Sequence, residues 1–497
     1  MGQKKKNTVL IIGSGFSGLA AACFFAKEGY NVTVLDKLSQ PGGRARNFSA
    51  NGFTFDMGPS WYWMNDIFER FFNQFGKTTS DFYRLIRLDP SYRIFWAPDY
   101  YTDIPANYAQ LKQVFENLEP GSAKKLDKFL YEAEYKYTTA MQKFVFQPSL
   151  SIFEYIDWKL ISVLFKIDLF HSISAHIRKY FHNPKIIQIL EFPTMFLGSI
   201  PSRTPALYSL MNYADIKLGT WYPEGGIYSV VKAIYNLALS LGTNFYFNTE
   251  VLNLFIKDRK IMSVGTTSGD FEADTVIAAG DYHQIEQMLP KNLRNYTESY
   301  WNKRTLAPSA LIYYLGINKK LDRFLHHTLL FDRSFEKHAK EIYVTPKFPD
   351  EPLIYISSPS KTDQNVAPKG CDNLFVLIPV ASGLSDNIEI KELYFTKVIK
   401  RLETITKQDI KNNIIFRRDY SISEFKEDYN AFKGNAYGLA NTLYQTAIFK
   451  PKIINKNLRN LYYTGQMTVP GPGIPPALIS GEIVSKFAIK KIKAKKC

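Results

Sequence analysis

The sequence is poor in cysteine and has no long apolar segment free of charged residues. Its three cysteines, Cys23, Cys371 and Cys497, lie far apart, so no pair has the spacing of a metal site or a disulfide framework. We therefore expect a reducing compartment. Residues 151–170 are the best candidate for a membrane span, but they include acidic and basic side chains that a span of about 20 residues does not readily bury. Read as a helix, this segment is amphipathic, which fits either a helix lying in a membrane interface or one covering a soluble core.

Several kinds of site are also missing from the sequence. No Ser/His/Asp arrangement for nucleophilic catalysis and no nucleic-acid-binding motif is recognisable. His326 and His327 are adjacent, and on a strand they would point to opposite faces, so we predict no metal site there. Residues 4–6 are basic and precede an apolar run, as in a secretory signal. The run continues into a glycine loop and a second strand pattern, so we interpret it as mature structure.

Positive charge and aromatic rings are abundant. The formal net charge is +16 and the sequence pI is about 9.3, which favours an anionic partner such as nucleic acid or lipid headgroups. Because no nucleic-acid motif accompanies this charge, we predict a membrane surface as the partner and no nucleic acid. The 37 Phe and 32 Tyr residues fit a large apolar ligand site, but tight aromatic packing is also compatible with them.

A dinucleotide-binding unit is recognisable at the start of the chain. Residues 9–12 form a short apolar strand pattern that ends at a loop containing Gly13, Gly15 and Gly18. A helix pattern and a second strand follow, and the second strand ends at Asp36. The three glycines permit the tight turn, the approach of the pyrophosphate and the packing of helix on strand, while the carboxylate accepts hydrogen bonds from a ribose. The pyrophosphate would lie at the positive N-terminal end of the helix.

A second glycine pair distinguishes an FAD site from an NAD site. Gly42, Gly43 and Arg44 follow soon after Asp36, where they can supply further backbone donors and a fixed cation to a diphosphate. A surface turn would explain these residues by themselves, but their position after a complete dinucleotide unit favours a cofactor role. The sequence therefore predicts a site for FAD.

Further motifs along the chain resemble those of the bacterial-type phytoene desaturases, which belong to the superfamily of flavin amine oxidases and carotenoid desaturases. The motifs occupy residues 56–60, 222–226, 278–283, 432–439 and 461–475, so the resemblance extends from end to end. The last motif combines a strand, a glycine turn and a proline–glycine loop that enters a helix. Prolines suit the first helical turn, and that N-terminus would face the pyrimidine edge of the flavin.

The resemblance implies FAD bound non-covalently by residues from three parts of the chain. Gln466 departs from the family pattern, in which small residues are common at this position, and it is a candidate contact of the ribityl chain. No catalytic residue is indicated. The predicted cofactor-binding residues are Gly13, Gly15, Phe16, Ser17, Gly18, Asp36, Lys37, Gly42, Gly43, Arg44, Gly58, Pro59, Val251, Gly465, Gln466, Gly473, Ile474 and Pro475.

The predicted fold class is α/β, with a discontinuous Rossmann-like FAD-binding domain, a mixed-sheet substrate domain and a helical insertion. The FAD-binding domain is assigned to residues 1–80, 223–284 and 456–497. Residues 81–222 are predicted to form an aromatic, helical insertion that faces substrate and membrane. Residues 285–455 are predicted to form the substrate domain, mostly sheet.

The resemblance also implies a reaction. We expect desaturation of acyclic C40 carotenoids, of the type that converts phytoene to neurosporene or lycopene, by hydride transfer from an allylic C–H to flavin N5 in carotenoid biosynthesis. The candidate electron acceptors are a quinone or oxygen, and the expected location is the cytoplasm, peripherally on the inner face of the cell membrane. Three alternatives stay open: an FAD-dependent carotenoid isomerase or saturase, a flavin amine oxidase, and a non-catalytic lipid-binding flavoprotein.

Overall fold

The computed structural model describes residues 7–151, 154, 171–194 and 198–494. The amphipathic segment predicted over 151–170 therefore lies, apart from residues 151 and 154, outside the described residues. Within them, no helix combines the length and the apolar character that crossing a bilayer requires.

Strands occur along most of the described chain. In order, they are β1 Thr8–Ile12, β2 Asn31–Leu35, β3 Asn47–Ala50, β4 Phe53–Asp56, β5 Leu85–Arg87, β6 Tyr92–Ala97, β7 Tyr100–Ile104, β8 Trp221–Pro223, β9 Asn244–Tyr246, β10 Val251–Lys257, β11 Lys260–Thr266, β12 Gly269–Glu272, β13 Thr275–Ala278, β14 Ser309–Ile317, β15 His327–Leu330, β16 Ile354–Ser357, β17 Asp372–Val380, β18 Ile414–Tyr420 and β19 Leu461–Tyr463.

Helices separate many of these strands. In order, they are α1 Phe16–Lys27, α2 Asn65–Asn73, α3 Tyr108–Leu118, α4 Ser122–Lys143, α5 Ile173–Arg178, α6 Pro184–Glu191, α7 Leu210–Tyr213, α8 Ile227–Ser240, α9 Tyr282–Gln287, α10 Glu298–Asn302, α11 Phe335–Tyr343, α12 Ile388–Thr406, α13 Ile422–Tyr429 and α14 Ile474–Ala494.

A five-stranded parallel sheet holds the dinucleotide unit. Its order is β19-β13-β1-β2-β9, and each neighbouring pair is parallel. The central strand β1 is almost entirely buried, because helices α1, α8 and α14 pack around the sheet. The strands come from three separated stretches of chain, so the amino-terminal, middle and carboxy-terminal motifs meet at one sheet.

A second, seven-stranded sheet has the order β18-β14-β17-β16-β15-β6-β7. It is mixed, because β15 pairs with β6 in parallel while the other neighbours are antiparallel. Its longest strands, β14 and β17, are rich in β-branched and aromatic residues and are buried nearly throughout. The α/β fold class, with a Rossmann-like parallel sheet and a mixed sheet, is thus confirmed.

The stretch predicted as a helical insertion differs in one respect from that expectation. It contains helices α3 to α7, but β6 and β7 at its start form the edge of the mixed sheet. Residues 92–97 are mostly aromatic or β-branched, a composition that favours strand over helix. The limits of the domains themselves stay a prediction.

Candidate functional site

One large cavity lies between the two sheets and brings together residues from distant parts of the chain. Its volume is about 900 Å³. Every residue predicted to bind the cofactor lines it except Gly18. A Cβ at Gly18 would overlap the carbonyl oxygen of Gly13, so Gly18 lets helix α1 pack directly on the loop before it.

The glycine loop presents bare backbone to this cavity. The backbone N–H of Gly13 donates to the carbonyl oxygen of Leu35 (2.8 Å), which fixes the turn at the ends of β1 and β2. Gly13 has φ +103°, a conformation that favours glycine. A Cβ at Gly15 would meet no atom within 4 Å, because it would point into the cavity. Helix α1 starts next to Gly15 with no side-chain cap, so its first N–H groups stay available to a ligand.

Asp36 anchors the end of β2 to the glycine loop. Its Oδ2 accepts hydrogen bonds from the backbone N–H (2.7 Å) and the hydroxyl (2.5 Å) of Ser14, and its Oδ1 accepts one from the N–H of Leu38 (2.9 Å). The next residue, Lys37, forms an ion pair with Glu250 (3.6 Å), the neighbour of Val251 in sequence. These contacts place the predicted adenosine residues together at one end of the cavity.

Arg44 brings a buried cation to the middle of the cavity. Its Nη2 donates to the carbonyl oxygen of Asn435 (3.2 Å), whereas its Nε is buried with no hydrogen-bond partner among the described residues. Burial lowers the pKa of Arg44, and the nearby Asp281 opposes that shift. When the side-chain amide of Gln466 is oriented so that both its oxygen and its nitrogen are hydrogen-bonded, the oxygen accepts a hydrogen bond from Arg44 Nη2 (3.1 Å). A Cβ at Gly58 would lie 2.6 Å from the Arg44 carbonyl oxygen, so this turn packs on the arginine.

The carboxy-terminal motif places a second helix N-terminus at the same cavity. The Ser480 hydroxyl accepts from the backbone N–H of Gly465 (3.0 Å) and so ties the loop to helix α14. Gly473 has φ +113°, and α14 begins immediately after it at Ile474. A Cβ at Gly481 would overlap the carbonyl oxygen of Ser17, so α14 crosses α1 in direct backbone contact. The first residues of both helices line the cavity, so two positive helix ends contribute to its wall.

The opposite end of the cavity is apolar. Its walls come from the end of α4 and the residues after it, from the region of α7, from strands β14, β16 and β17, and from residues 446–449. None of the described residues that line this end is charged. They include Trp61, Trp63, Met64, Ala140, Met141, Phe144, Val145, Leu207, Tyr208, Leu210, Met211, Ile312, Leu377, Tyr437, Ile448 and Phe449.

Sequence reasoning missed these apolar residues, because they come from elements far apart in the chain. Only Trp61 and Trp63 carried a usable signal, since they directly follow the motif at residues 56–60.

A chain of hydrogen bonds interrupts the apolar wall. The hydroxyl of Ser60 lies 2.7 Å from the hydroxyl of Tyr355, which lies 2.8 Å from His327 Nδ1. Ser60 and Tyr355 line the cavity, and the His327 ring stacks on Trp61 with ring centroids 4.0 Å apart. Burial holds the pKa of His327 well below its usual range. The neighbouring His326 has its own hydrogen-bond partner, Thr362, yet its ring centroid lies 4.6 Å from that of His327. The expectation that the two side chains point to opposite faces of a strand is therefore wrong, because β15 begins only at His327.

A sequence profile of the flavin-containing amine oxidoreductases matches residues 16–486. The chain belongs to this family. Carotenoid 3,4-desaturase of Haloarcula japonica is 39% identical to it over 97% of this chain and 98% of its own length. The ζ-carotene-forming phytoene desaturase of Myxococcus xanthus is 27% identical over 96% and 93% of the two chains. The resemblance predicted from the sequence is thus confirmed, and this family member is an FAD-dependent oxidoreductase.

Comparison with solved structures supports the fold alone. A crystal structure of an oxidoreductase from Methanosarcina mazei has a TM-score of 0.65 at 16% identity and covers 96% of this chain and 100% of that one. Putrescine oxidase bound to putrescine has a TM-score of 0.58 at 12% identity and covers 98% and 99%.

The cavity fits FAD on its own geometry. The open side of Gly15 leaves room for a diphosphate to approach the backbone. The free first N–H groups of α1 and the unpaired Nε of Arg44 are donors that a diphosphate requires. The described residues contain no cluster of His, Cys, Asp and Glu that could hold a metal ion.

Proposed function

We propose that this protein is an FAD-dependent desaturase of acyclic C40 carotenoids. In this proposal the adenosine lies at Asp36, Lys37 and Val251. The diphosphate lies on the N-terminus of α1 with Gly15 and Arg44 around it. The remaining predicted residues surround the rest of the cofactor: Gly13, Phe16, Ser17, Gly42, Gly43, Gly58, Pro59, Gly465, Gln466, Gly473, Ile474 and Pro475. Gly18 contributes by packing α1 against the loop.

One observation carries the proposal: a single cavity joins the nucleotide-type glycine loop to a wall of uncharged, largely apolar residues. Bound FAD supplies the hydride acceptor of the reaction. The protein's task is then to hold an apolar chain beside the cofactor and keep water away. A cationic amine gains nothing from the apolar end, because the described lining residues there include no carboxylate. This argues against an amine oxidase.

A second candidate substrate follows from the relatives. The carotenoid 3,4-desaturase is 39% identical to this chain, whereas the phytoene and diapophytoene desaturases are 27–29% identical. This difference favours a carotenoid that already carries conjugated double bonds and is desaturated near the end of its chain. Both candidates share the hydride chemistry and differ in which bond of the carotenoid reaches the cofactor.

The test is production of the protein in two bacterial strains, one accumulating phytoene and the other lycopene. Pigments are separated by chromatography and identified by absorption spectrum and mass. Coloured products of lower hydrogen content in the first strain support phytoene desaturation, and loss of two hydrogens from lycopene in the second supports terminal desaturation. Unchanged carotenoids in both strains, despite folded and flavin-loaded protein, would overturn the proposal. An unchanged mass with altered retention would indicate the isomerase alternative, and gain of hydrogen the saturase.

We also propose that the protein is cytoplasmic and binds peripherally to the inner face of the cell membrane. The proposed electron acceptor is a quinone or oxygen. Residues 446–449 line the apolar end of the cavity, and Phe449 is 54% exposed there, while the nearby Tyr444 is 76% exposed. Aromatic side chains at a cavity rim can enter a lipid interface, and the net charge of +16 attracts anionic headgroups. A substrate that is insoluble in water could then pass from the bilayer to the cofactor directly.

A further inference from the structure

We propose that Ser60, Tyr355 and His327 form the proton-accepting relay of the desaturation. The inference rests on the proposed function and adds the base that the sequence did not reveal. Desaturation removes a hydride from one carbon and a proton from the next. The hydride acceptor is the cofactor, but the proton requires a separate acceptor beside an otherwise apolar substrate.

The geometry of the relay supports this role. Ser60 directly follows the predicted cofactor residues Gly58 and Pro59 and lines the cavity. The Ser60 hydroxyl lies 2.7 Å from the Tyr355 hydroxyl, and the Tyr355 hydroxyl lies 2.8 Å from His327 Nδ1. The imidazole is fully buried, so the chain leads inward from the cavity to a titratable group.

The protonation state of His327 suits an acceptor. Desolvation is the main cause of its lowered pKa, and the adjacent His326 adds to the shift, so the ring is neutral when the reaction begins. Nε2 of His327 is buried with no hydrogen-bond partner among the described residues. If Nε2 carries the proton of the neutral ring, Nδ1 accepts a hydrogen bond from the Tyr355 hydroxyl. The Tyr355 hydroxyl in turn accepts one from Ser60, so each donor points from the cavity towards the buried histidine.

The step conserves atoms and electrons. With the cofactor bound, one allylic carbon would lose a hydride, with its electron pair, to it. The C–H bond of the adjacent carbon breaks, its electron pair forms the new π bond, and its proton goes to the Ser60 oxygen. The Ser60 proton moves to Tyr355 and the Tyr355 proton to His327 Nδ1, which becomes an imidazolium. A weak base suffices, because the positive charge that develops as the hydride leaves makes the adjacent C–H bond strongly acidic. Since the two C–H bonds break together, loss of the base also slows flavin reduction. The imidazolium then returns its proton by the reverse route to water after product leaves.

Other polar groups at the cavity are less suited. Asp281 caps helix α9 through the N–H of Gln284 (3.2 Å) and also accepts from the N–H of Phe432 (3.2 Å), at the predicted nucleotide end. Asp36 holds the glycine loop. Among the described residues that line the apolar end, Ser60 and Tyr355 are the pair connected to a buried base.

The first test is single-turnover reduction of the bound flavin by a carotene in liposomes, without oxygen, in H₂O and in D₂O. Tyr355→Phe removes one oxygen from the middle of the relay. We expect the flavin reduction rate to fall roughly 100-fold, as for loss of a general base, and the solvent isotope effect to approach one. Tyr313→Phe is the matched control, because its hydroxyl donates to the Lys391 carbonyl (2.7 Å) away from the cavity. It should keep both the rate and the isotope effect.

The second test is independent of turnover. Nitrogen NMR of ¹⁵N-histidine-labelled protein, with His327 assigned through His327→Gln, should show a neutral ring with a proton on Nε2 and a hydrogen-bonded, unprotonated Nδ1. The Nδ1 resonance should shift in Tyr355→Phe and stay unchanged in Tyr313→Phe.

Three results would overturn the relay. The first is a Tyr355→Phe enzyme whose flavin reduction and isotope effect match those of Tyr313→Phe. The second is a His327 ring that is charged at neutral pH. The third is a wild-type protein whose bound flavin is not reduced by any carotene. This third result would reject the proposed function as well. The first two would reject only the relay and leave desaturation intact.

Discussion

Gly481 and Ser17 bring two helices into backbone contact: a Cβ on Gly481 would overlap the carbonyl oxygen of Ser17 and lie 2.7 Å from the Ala20 side chain. The contact fixes α14 against α1 just behind the cavity wall at which both helices begin. We expect Gly481→Ala to force the helices apart and lower the free energy of unfolding by about 1–3 kcal/mol. Urea unfolding of the flavin-free protein measures the change. Stability equal to wild type would show that the crossing is looser than described.

Gly15→Ala, in contrast to Gly481→Ala, should weaken FAD binding without lowering the stability of the protein. The backbone at Gly15 has φ −68° and ψ 177°, which alanine adopts readily, and its Cβ would point into open space. We expect unchanged stability of the flavin-free protein and FAD affinity at least about 10-fold weaker. Flavin fluorescence titration gives the affinity. Full FAD affinity in this variant would move the diphosphate away from the glycine loop.

Arg44 and Arg46 offer a matched pair. Both have an Nε without a hydrogen-bond partner among the described residues, but Arg44 lines the cavity, whereas Arg46 forms an ion pair with Asp428 and does not line it. Because a hydrogen bond to a charged group contributes about 1.5–3 kcal/mol, Arg44→Met should weaken FAD binding by roughly 10- to 100-fold. Arg46→Met should leave it near the wild-type value. Equal effects of the two substitutions on FAD affinity would contradict the assignment of Arg44 to the cofactor.

Lys450 makes stability depend on pH. Its ammonium group has no hydrogen-bond partner among the described residues, and burial lowers its pKa to about 7, while an unfolded lysine titrates near 10.4. As the pH falls from about 10.4 to about 7, the unfolded chain takes up a proton that the folded protein does not. The folded state is therefore penalised by on the order of 4 kcal/mol at pH 7, and the penalty disappears above the pKa of the unfolded residue.

Lys450→Met removes this penalty. The variant should be more stable than wild type at pH 7, with an advantage that shrinks towards zero near pH 10.5. Chemical unfolding at both pH values measures the difference, and the exposed Lys291→Met serves as control. An advantage of the same size at both pH values would mean that titration of Lys450 is not its cause.

Phe449 tests the lipid contact. If its exposed ring enters the bilayer, Phe449→Ser should reduce binding to anionic liposomes roughly 10-fold, because burying a phenylalanine side chain contributes about 1.5–3 kcal/mol. Phe255→Ser is the control, since this ring is exposed to a similar degree on β10, outside the cavity lining. Co-sedimentation should also weaken with salt. Binding that neither salt nor Phe449→Ser reduces would remove the membrane proposal.

The glycine-loop end of the cavity could be predicted from sequence because its signals are local. Gly13, Gly15 and Asp36 belong to one strand–helix–strand unit, and the backbone requirements of that unit determine the residue types. The fold class followed from the same unit together with motifs that extend along the chain. Even Gly18, which does not line the cavity, performs the packing role that its spacing predicted.

The relay could not be predicted in this way. Ser60 and Tyr355 are 295 residues apart in sequence, and only the pairing of strands in the mixed sheet brings Tyr355 to the cavity. The burial of Lys450 was likewise invisible, because a lysine is ordinarily solvated. The strands β6 and β7 were overlooked because the helices that follow them dominate the pattern of that stretch.

The assembly of the parallel sheet from three stretches of chain sets the order of events during synthesis. Strand β19 pairs with β13, and α14 supplies one wall of the cavity, yet both are translated after the other two stretches. A nascent chain that still lacks them has neither the second helix end nor the outermost strand. Cofactor loading therefore belongs after translation of this segment, and a premature stop codon there would yield a protein without flavin.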